Sequence, residues 1–266
     1  MTAKTKSKAA GAAQHGTQVL QRAIAVINAV AAGHRDAQAI GRDVGTTRST
    51  THRLISWLNR AGLVRQVEGR GLVLGSRLIE LGATALAQMP LTTVARPILE
   101  RLARETGDAI HLSIREGDHI IYVDKIPGIR GLEMRSGIGM RKPLAITGTG
   151  KAQMLDLPEA EWQRLYRAAK DDMMQERPRP AGFLPWEKFR DNMRLYRGAG
   201  YTMESEENQT SISCVAAPVR DARGSVVAGL SIASATPFMP KARMQALVPV
   251  IQQGAAEISQ GLGFRK

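Results

Sequence analysis

Between residues 38 and 75 the apolar positions fall into two helical registers and then two β-type runs. The stretch reads QAIGRDVGTTRSTTHRLISWLNRAGLVRQVEGRGLVLG. Ile40 and Val44 are one turn apart, which predicts a short helix that ends at Gly45. Thr46 or Thr47 can cap a second helix, because a Thr hydroxyl accepts a hydrogen bond from a free N–H of the first turn. That helix runs to about Arg60 and stops at Ala61 and Gly62, where Gly tolerates a left-handed C-cap. Two short β-type runs follow, 63–67 and 72–74, joined by Glu68, Gly69, Arg70 and Gly71. Helix, tight turn, helix and hairpin, in that order, predict a winged helix-turn-helix. In the second helix Thr51, Leu54, Leu58 and Ala61 recur every three or four residues and form one core stripe. Arg48, Ser49, His52, Arg53 and Ser56 lie largely off it.

The other helical registers flank this motif. Residues 18–32 carry Val19, Ala23, Ile24, Ile27 and Val30, and predict a helix packed beneath it. Residues 76–88 predict a connecting helix, with Leu78, Leu81, Ala85 and Leu86 in register. Residues 92–105 predict another, carrying Val94, Ile98, Leu99 and Leu102 and closing at Gly107. From Ala109 the period changes to two. Runs 109–115 and 119–125, joined through Gly117, predict a hairpin. Residues 132–135 are a further strand candidate. Residues 147–150 read as a small-residue turn, with helices over 151–155 and 159–170. Residues 171–185 read as a flexible Pro-rich loop, and 186–197 as a helix. A second hairpin is predicted over 214–220 and 225–233, and a terminal helix over 239–262. Strands interleaved with helices and antiparallel hairpins predict an α+β domain.

Charge gives the first region a partner. Of the net charge of +13, the first 90 residues carry +8. A basic region that coincides with a helix-turn-helix points to duplex DNA, because phosphate neutralisation supplies much of the affinity. Recognition helices present their N-terminal residues to the major groove. Arg48 and Arg53 are therefore candidates for affinity, with Ser49, Thr50 and His52 nearer the bases. Arg65 and Arg70 of the wing are candidates for phosphate or minor-groove contacts. An ordinary amphipathic surface helix is the bland alternative, and the wing and charge argue against it. Residues 1–16 read as a disordered basic tail. No apolar run reaches the ~20 residues that span a bilayer, so no membrane partner is expected and the expected location is cytoplasmic.

Enzyme chemistry finds little support. Gly148, Thr149, Gly150 and Lys151 look like the end of a phosphate loop, but Ala145 and Ala152 stand where that motif needs Gly and Ser or Thr. The lone Cys214 could act as a nucleophile beside His111, yet a Cys opening an apolar strand is commonly a small buried hydrophobe. Asp118, His119 and Asp124 lack a recognised metal-ligand spacing. Neither an enzyme nor a metal or cofactor is expected.

The stretches STTHRLISWLNRAGLV, HLSIREGDHIIYVDKI, TGTGKAQML, GYTMESEEN and CVAAPVRDARGSVVAGLSIA occur in one order. In that order and at that spacing the chain resembles the IclR family of bacterial transcriptional regulators, from about Thr17 to Gly263. The resemblance implies a winged helix-turn-helix over 17–75 and a linker helix over 76–91. It implies a GAF/PAS-like α+β effector-binding domain over 92–263. It also implies homodimers, or dimers of dimers, on palindromic operators. Carried over position by position, the effector pocket becomes Gly148, Thr149, Glu204, Cys214 and Ser231. Two departures bear on the ligand. Ala233 stands where small-acid sensors usually have a second serine, and Glu204 where a shorter Asp is frequent. The expected effector is a small organic acid, larger than glyoxylate or pyruvate or aromatic. A ligand-independent architectural DNA binder is the alternative.

Overall fold

The computed structural model describes residues 3–88, 90–130, 134, 136–175 and 183–265, leaving aside the side chains of 3–16, 86 and 175. The chain forms two compact units, Met1–Gln88 and Met89–Lys266.

The first unit begins with helix α1 (Ala3–Ala31), which starts well before the expected helix. Residues 3–16, expected as a disordered tail, continue it; alanine, frequent there, has the highest helix propensity. The buried stripe of α1 is Val26, Ala29 and Val30, whereas Val19 and Ile24 are exposed. Helix α2 (Ala37–Val44) is capped by Asp36, whose carboxylate accepts from the Ala39 N–H at 2.8 Å. Gly45 ends it with φ +67°, a conformation that costs a residue with a Cβ. Helix α3 (Arg48–Arg60) is capped by Thr47 rather than Thr46. Thr46 instead shares a 2.8 Å hydrogen bond with the buried Thr51. Strands β1 (Val64–Val67) and β2 (Gly71–Leu74) pair antiparallel as the wing. Leu54, Leu58, Val64 and Leu72 close a small core with Ile40 and the α1 stripe. Helix α4 (Ser76–Ala87) ends the unit.

In the second unit, helix α5 (Pro90–Thr106) leads into strands β3 (Ala109–Glu116), β4 (His119–Ile126) and β5 (Arg141–Pro143). Helices α6 (Gly148–Met154), α7 (Glu159–Gln175) and α8 (Trp186–Ala199) follow. Strands β6 (Thr202–Ser205), β7 (Ile212–Arg220) and β8 (Val226–Ala235) precede the last helix, α9 (Lys241–Gly261). The six strands form one antiparallel sheet in the order β5-β4-β3-β8-β7-β6. Helices α5 and α9 pack on one face and α6 on the other. Consecutive residues divide between the faces, as a strand requires. Leu230 meets α9 at Gly254, while its neighbour Ser231 lines a pocket on the α6 side.

Three local expectations change, and a fourth is not tested. Short strands β5 and β6, too brief to show a period, join the two sheet edges. The small-residue turn at Thr147 is the cap of α6, its hydroxyl accepting from the Gly150 N–H at 3.0 Å. Helix α7 runs on to Gln175, into the stretch expected as a loop. Of the 132–135 strand candidate, Leu132, Glu133 and Arg135 lie outside the described residues.

Helix α6 is buried along its whole length. Lys151 therefore carries its charge inward, to Glu207 at 2.6 Å and to the Met203 carbonyl at 3.0 Å. This pair ties α6 to the chain that leaves β6. Removing one partner of a buried pair strands the other charge, a loss of about 3–5 kcal/mol. Lys151→Met should lower unfolding stability by that order in a urea titration. Lys151→Met combined with Glu207→Leu should recover much of it.

Candidate nucleic-acid interface and ligand pocket

The core stripe of α3 leaves the opposite side to solvent. Arg48, Ser49, His52, Arg53, Ser56 and Arg60 are all exposed. Thr50 is half-buried, and its oxygen accepts from the Thr47 hydroxyl at 3.0 Å. It thus takes part in the helix cap rather than standing free beside the other candidates. Arg65 on β1 and Arg70 at the wing tip are also exposed. The helix contains no acidic residue. Among the described residues, Arg48, Arg53, Arg60, Arg65 and Arg70 form no ion pair.

In the second unit the arginines are used differently. Arg96 meets Asp124, Arg115 meets Glu161, Arg164 meets Asp118, Arg220 meets Asp156 and Arg243 meets Asp108. Intramolecular carboxylates neutralise these five side chains, whereas the arginines of α3 and the wing keep their charge for a partner. Bases are read by bidentate Arg pairs and by small hydroxyls, whereas phosphates take any cation. The α3 face carries both kinds of group. Arg60 escaped the sequence reading because it sits at the last turn of the helix, away from its N-terminal residues.

The five pocket candidates come together. Cross-strand register puts Glu204 opposite Cys214 and Cys214 opposite Ala233. The next row aligns Thr202, Ala216, Ser231 and His111. The loop into α6 lies over these rows. A Cβ on Gly148 would stand 2.4 Å from Cys214 Sγ, and one on Gly229 would stand 2.2 Å from the Thr149 carbonyl oxygen. Only glycine permits α6 to approach so closely. The result is a pocket with 390 Å³ of free space, its mouth included.

Sequence reading left out other groups on its wall. His111 and Tyr122 come from β3 and β4, Ser136 from the segment after β4, and Asn208 and Gln209 from the β6–β7 turn. His111 Nε2 lies 2.7 Å from the Ser136 hydroxyl. Spacing could not have found them, since four separate segments contribute. Two polar atoms here are buried without a partner, Thr149 Oγ1 and Asn208 Oδ1. No Lys or Arg is among the described lining residues.

Electrostatics follow from that enclosure. Burial drives the Glu204 carboxyl up to about 7; repulsion by Glu207 adds to the shift and Lys151 opposes it. Its Oε1 accepts from the N–H groups of Glu207 and Asn208 at 2.7 and 3.3 Å. Its Oε2 accepts from the Cys214 thiol at 3.5 Å. Burial, and then Glu204, pushes that thiol well up. A nucleophilic cysteine needs the reverse environment. Burial, reinforced by Lys125, holds His111 down at about 3, so it is neutral. Asp118, His119 and Asp124 each have a different partner, respectively Arg164, Asp172 and Arg96. No cluster able to hold a metal occurs among the described residues.

The family model of the IclR helix-turn-helix domain matches residues 19–68, and that of the bacterial transcriptional regulator IclR C-terminal domain matches 83–260. The chain belongs to the IclR family. HTH-type transcriptional regulator XynR of Escherichia coli K12 is 30% identical over 226 residues, 85% of this chain and 88% of that one. A solved transcriptional regulator from Rhodococcus sp. RHA1 superposes with a TM-score of 0.77 at 26% identity, covering 92% of this chain and 98% of that one. An IclR homologue from Microbacterium hydrocarbonoxydans, solved in complex with 4-hydroxybenzoate, superposes with a TM-score of 0.74 at 22% identity, with the same coverage. This IclR-type chain is therefore a helix-turn-helix transcriptional regulator with a ligand-binding C-terminal domain.

Two tests follow from the geometry. Arg53→Ala removes an exposed side chain with no ion-pair partner among the described residues, so stability should move by no more than ~0.5 kcal/mol. Operator binding should be lost, and an unchanged footprint would refute the role given to Arg53. For Glu204, the native carboxyl holds its proton more tightly than the unfolded chain, whose reference value is 4.5. Its stabilising contribution is thus complete below about pH 4.5 and is lost as pH rises through about 7. At ~1.4 kcal/mol per pH unit the loss is of the order of 3 kcal/mol. Glu204→Gln, which cannot titrate, should gain on wild type by that order between pH 4.5 and 8 in unfolding titrations.

Proposed function

We propose that the pocket beneath α6 binds a small organic acid, aromatic or larger than pyruvate, and that its occupancy changes the grip of the winged helix on a palindromic operator. The observation that carries this is the pair of partnerless buried atoms, Thr149 Oγ1 and Asn208 Oδ1, lining one enclosed space. Unpaired buried polar atoms cost about 1–3 kcal/mol each, and a ligand that pairs them recovers that cost. Gly148, Thr149, Glu204, Cys214 and Ser231 hold the ligand, with His111, Ser136, Asn208 and Gln209. The 4-hydroxybenzoate in the Microbacterium homologue supports an aromatic acid. Among the described lining residues a carboxylate finds no cation, so neutral donors hold it and Glu204 takes up a proton when it enters.

The reading unit works as a homodimer, with a dimer of dimers as the next assembly. Support comes from the apolar side chains that α1 and α4 leave uncovered, Val19, Leu20 and Ile24 on the first and Ile79 and Leu81 on the second. The two copies of α3 enter successive major grooves about one DNA turn apart. Contacts come from Arg48, Ser49, His52 and Arg53, with Arg65 and Arg70 on the backbone and Thr50 acting through the cap. Effector binding acts by favouring one dimer arrangement, and α4 transmits it. The protein does this work in the cytoplasm, as repressor or activator, without catalysis.

A thermal-shift panel of aliphatic and aromatic acids tests the reading. In large excess over its Kd, the cognate acid should stabilise wild type by about 3–4 kcal/mol. Cys214→Ala should blunt that gain. The shift should be larger at pH 6 than at pH 8, where ionised Glu204 repels the anion. Stabilisation by two- and three-carbon acids alone would overturn the size assignment. No stabilisation by any acid would overturn the effector class.

A further inference from the structure

Trp57 is 57% exposed on α3, the element that carries the DNA-reading side chains. The chain's two other tryptophans are placed otherwise. Trp162 is fully buried under Arg197, and Trp186 packs against Tyr166 and Phe189. Trp57 has no ring or cation contact among the described residues. A large indole left in water forgoes the burial that normally accounts for a tryptophan.

Its position says what covers it. At 3.6 residues per turn, Trp57 lies one turn, about 6 Å, beyond Arg53 and ~40° round the helix from it. Arg53 and Arg60 flank it in sequence, both exposed and neither ion-paired among the described residues. No acidic residue lies on α3. A protein partner for such a face would have to supply carboxylates, whereas the duplex that α3 already faces supplies phosphates next to apolar deoxyribose rings. The indole matches both, with an apolar face and one N–H donor. It stands to one side of the line through Ser49, Ser56 and Arg60, which points straight away from the core, so it faces the groove wall rather than the base edges.

We infer that Trp57 is part of the DNA interface, its ring lying on the sugar–phosphate backbone at the rim of the groove that α3 enters and its Nε1–H donating to a phosphate oxygen. The contact anchors α3 without reading sequence, complementing the more N-terminal side chains that do. It extends the DNA-binding surface to the second half of α3, and it holds whatever ligand the other unit takes.

The test uses full-length protein and a mixed-sequence duplex of about 30 base pairs at low salt, where non-specific binding is measurable. Subtracting the emission of Trp57→Phe from that of wild type isolates the indole. That difference signal should change on adding duplex. Trp57→Ala should lose about tenfold in affinity, equivalent to ~1.4 kcal/mol. The loss should be similar for every duplex sequence, with Trp57→Phe intermediate and the melting temperature unchanged. A silent difference signal together with full affinity in Trp57→Ala overturns the inference. So does a signal that follows protein concentration without DNA, with a changed sedimentation mass in Trp57→Ala, which would put a second copy of the chain on the indole. If wild type ignores duplex even at low salt, the interface itself is wrong.

Discussion

Helix α6 sits on the sheet with almost no side chain beneath its first turn. Gly148 rests on Cys214, and the Thr149 backbone rests on Gly229. The second unit is arranged around this contact. It brings α6 down onto β7 and β8 and aims Lys151 inward. Lys151 then needs Glu207, and through that pair the turn carrying Asn208 and Gln209 is held over the pocket. The acid–thiol pair of Glu204 and Cys214 lies directly below. A pocket built this way is small because backbone, not side chain, forms its roof. It is polar because α6 and the sheet meet through hydroxyls, a carboxyl and an imidazole. Burial then sets the ionisation of each group, leaving Glu204 near neutrality and His111 uncharged.

The two units divide the chain's charge by the way they pair it. In the sensor unit Arg96, Arg115, Arg164, Arg220 and Arg243 cross-brace the elements, each with a carboxylate close by. On α3 and the wing the arginines stand unpaired among the described residues, although they cost the fold nothing at the surface. Unpaired cations gathered on one helix and one hairpin make a surface that waits for a polyanion. Small hydroxyls and one indole within the same patch let that surface hold a duplex by more than charge.

Much of this was legible in the chain. The winged helix could be read almost residue by residue because each step has a local cause: Gly45 for the left-handed turn, Thr46 or Thr47 for the cap, and Thr51, Leu54 and Leu58 for the stripe. The strands β3, β4, β7 and β8 were legible because they are long enough to show their period. Strands β5 and β6 were not, being three and four residues long. On α1 the sequence offered several apolar side chains, and periodicity alone could not say which of them the small core would take. It took Val26, Ala29 and Val30 and left Val19 and Ile24 in water.

The five pocket residues carried over by family resemblance do meet, yet the same resemblance was silent on Ser136, Asn208 and Gln209, which share the wall. Nothing in their spacing marks them, since a pocket is defined by what the sheet and α6 enclose, not by neighbours along the chain. Likewise, composition revealed an excess of positive charge, but only the fold separated paired arginines from free ones and left Trp57 uncovered. The sequence by itself determined most of the elements and the class of partner, because caps, turns and periodicity act over a few residues. The tertiary structure alone decided which polar groups are buried together, and hence which carboxyl holds a proton, because desolvation depends on atoms brought from distant segments.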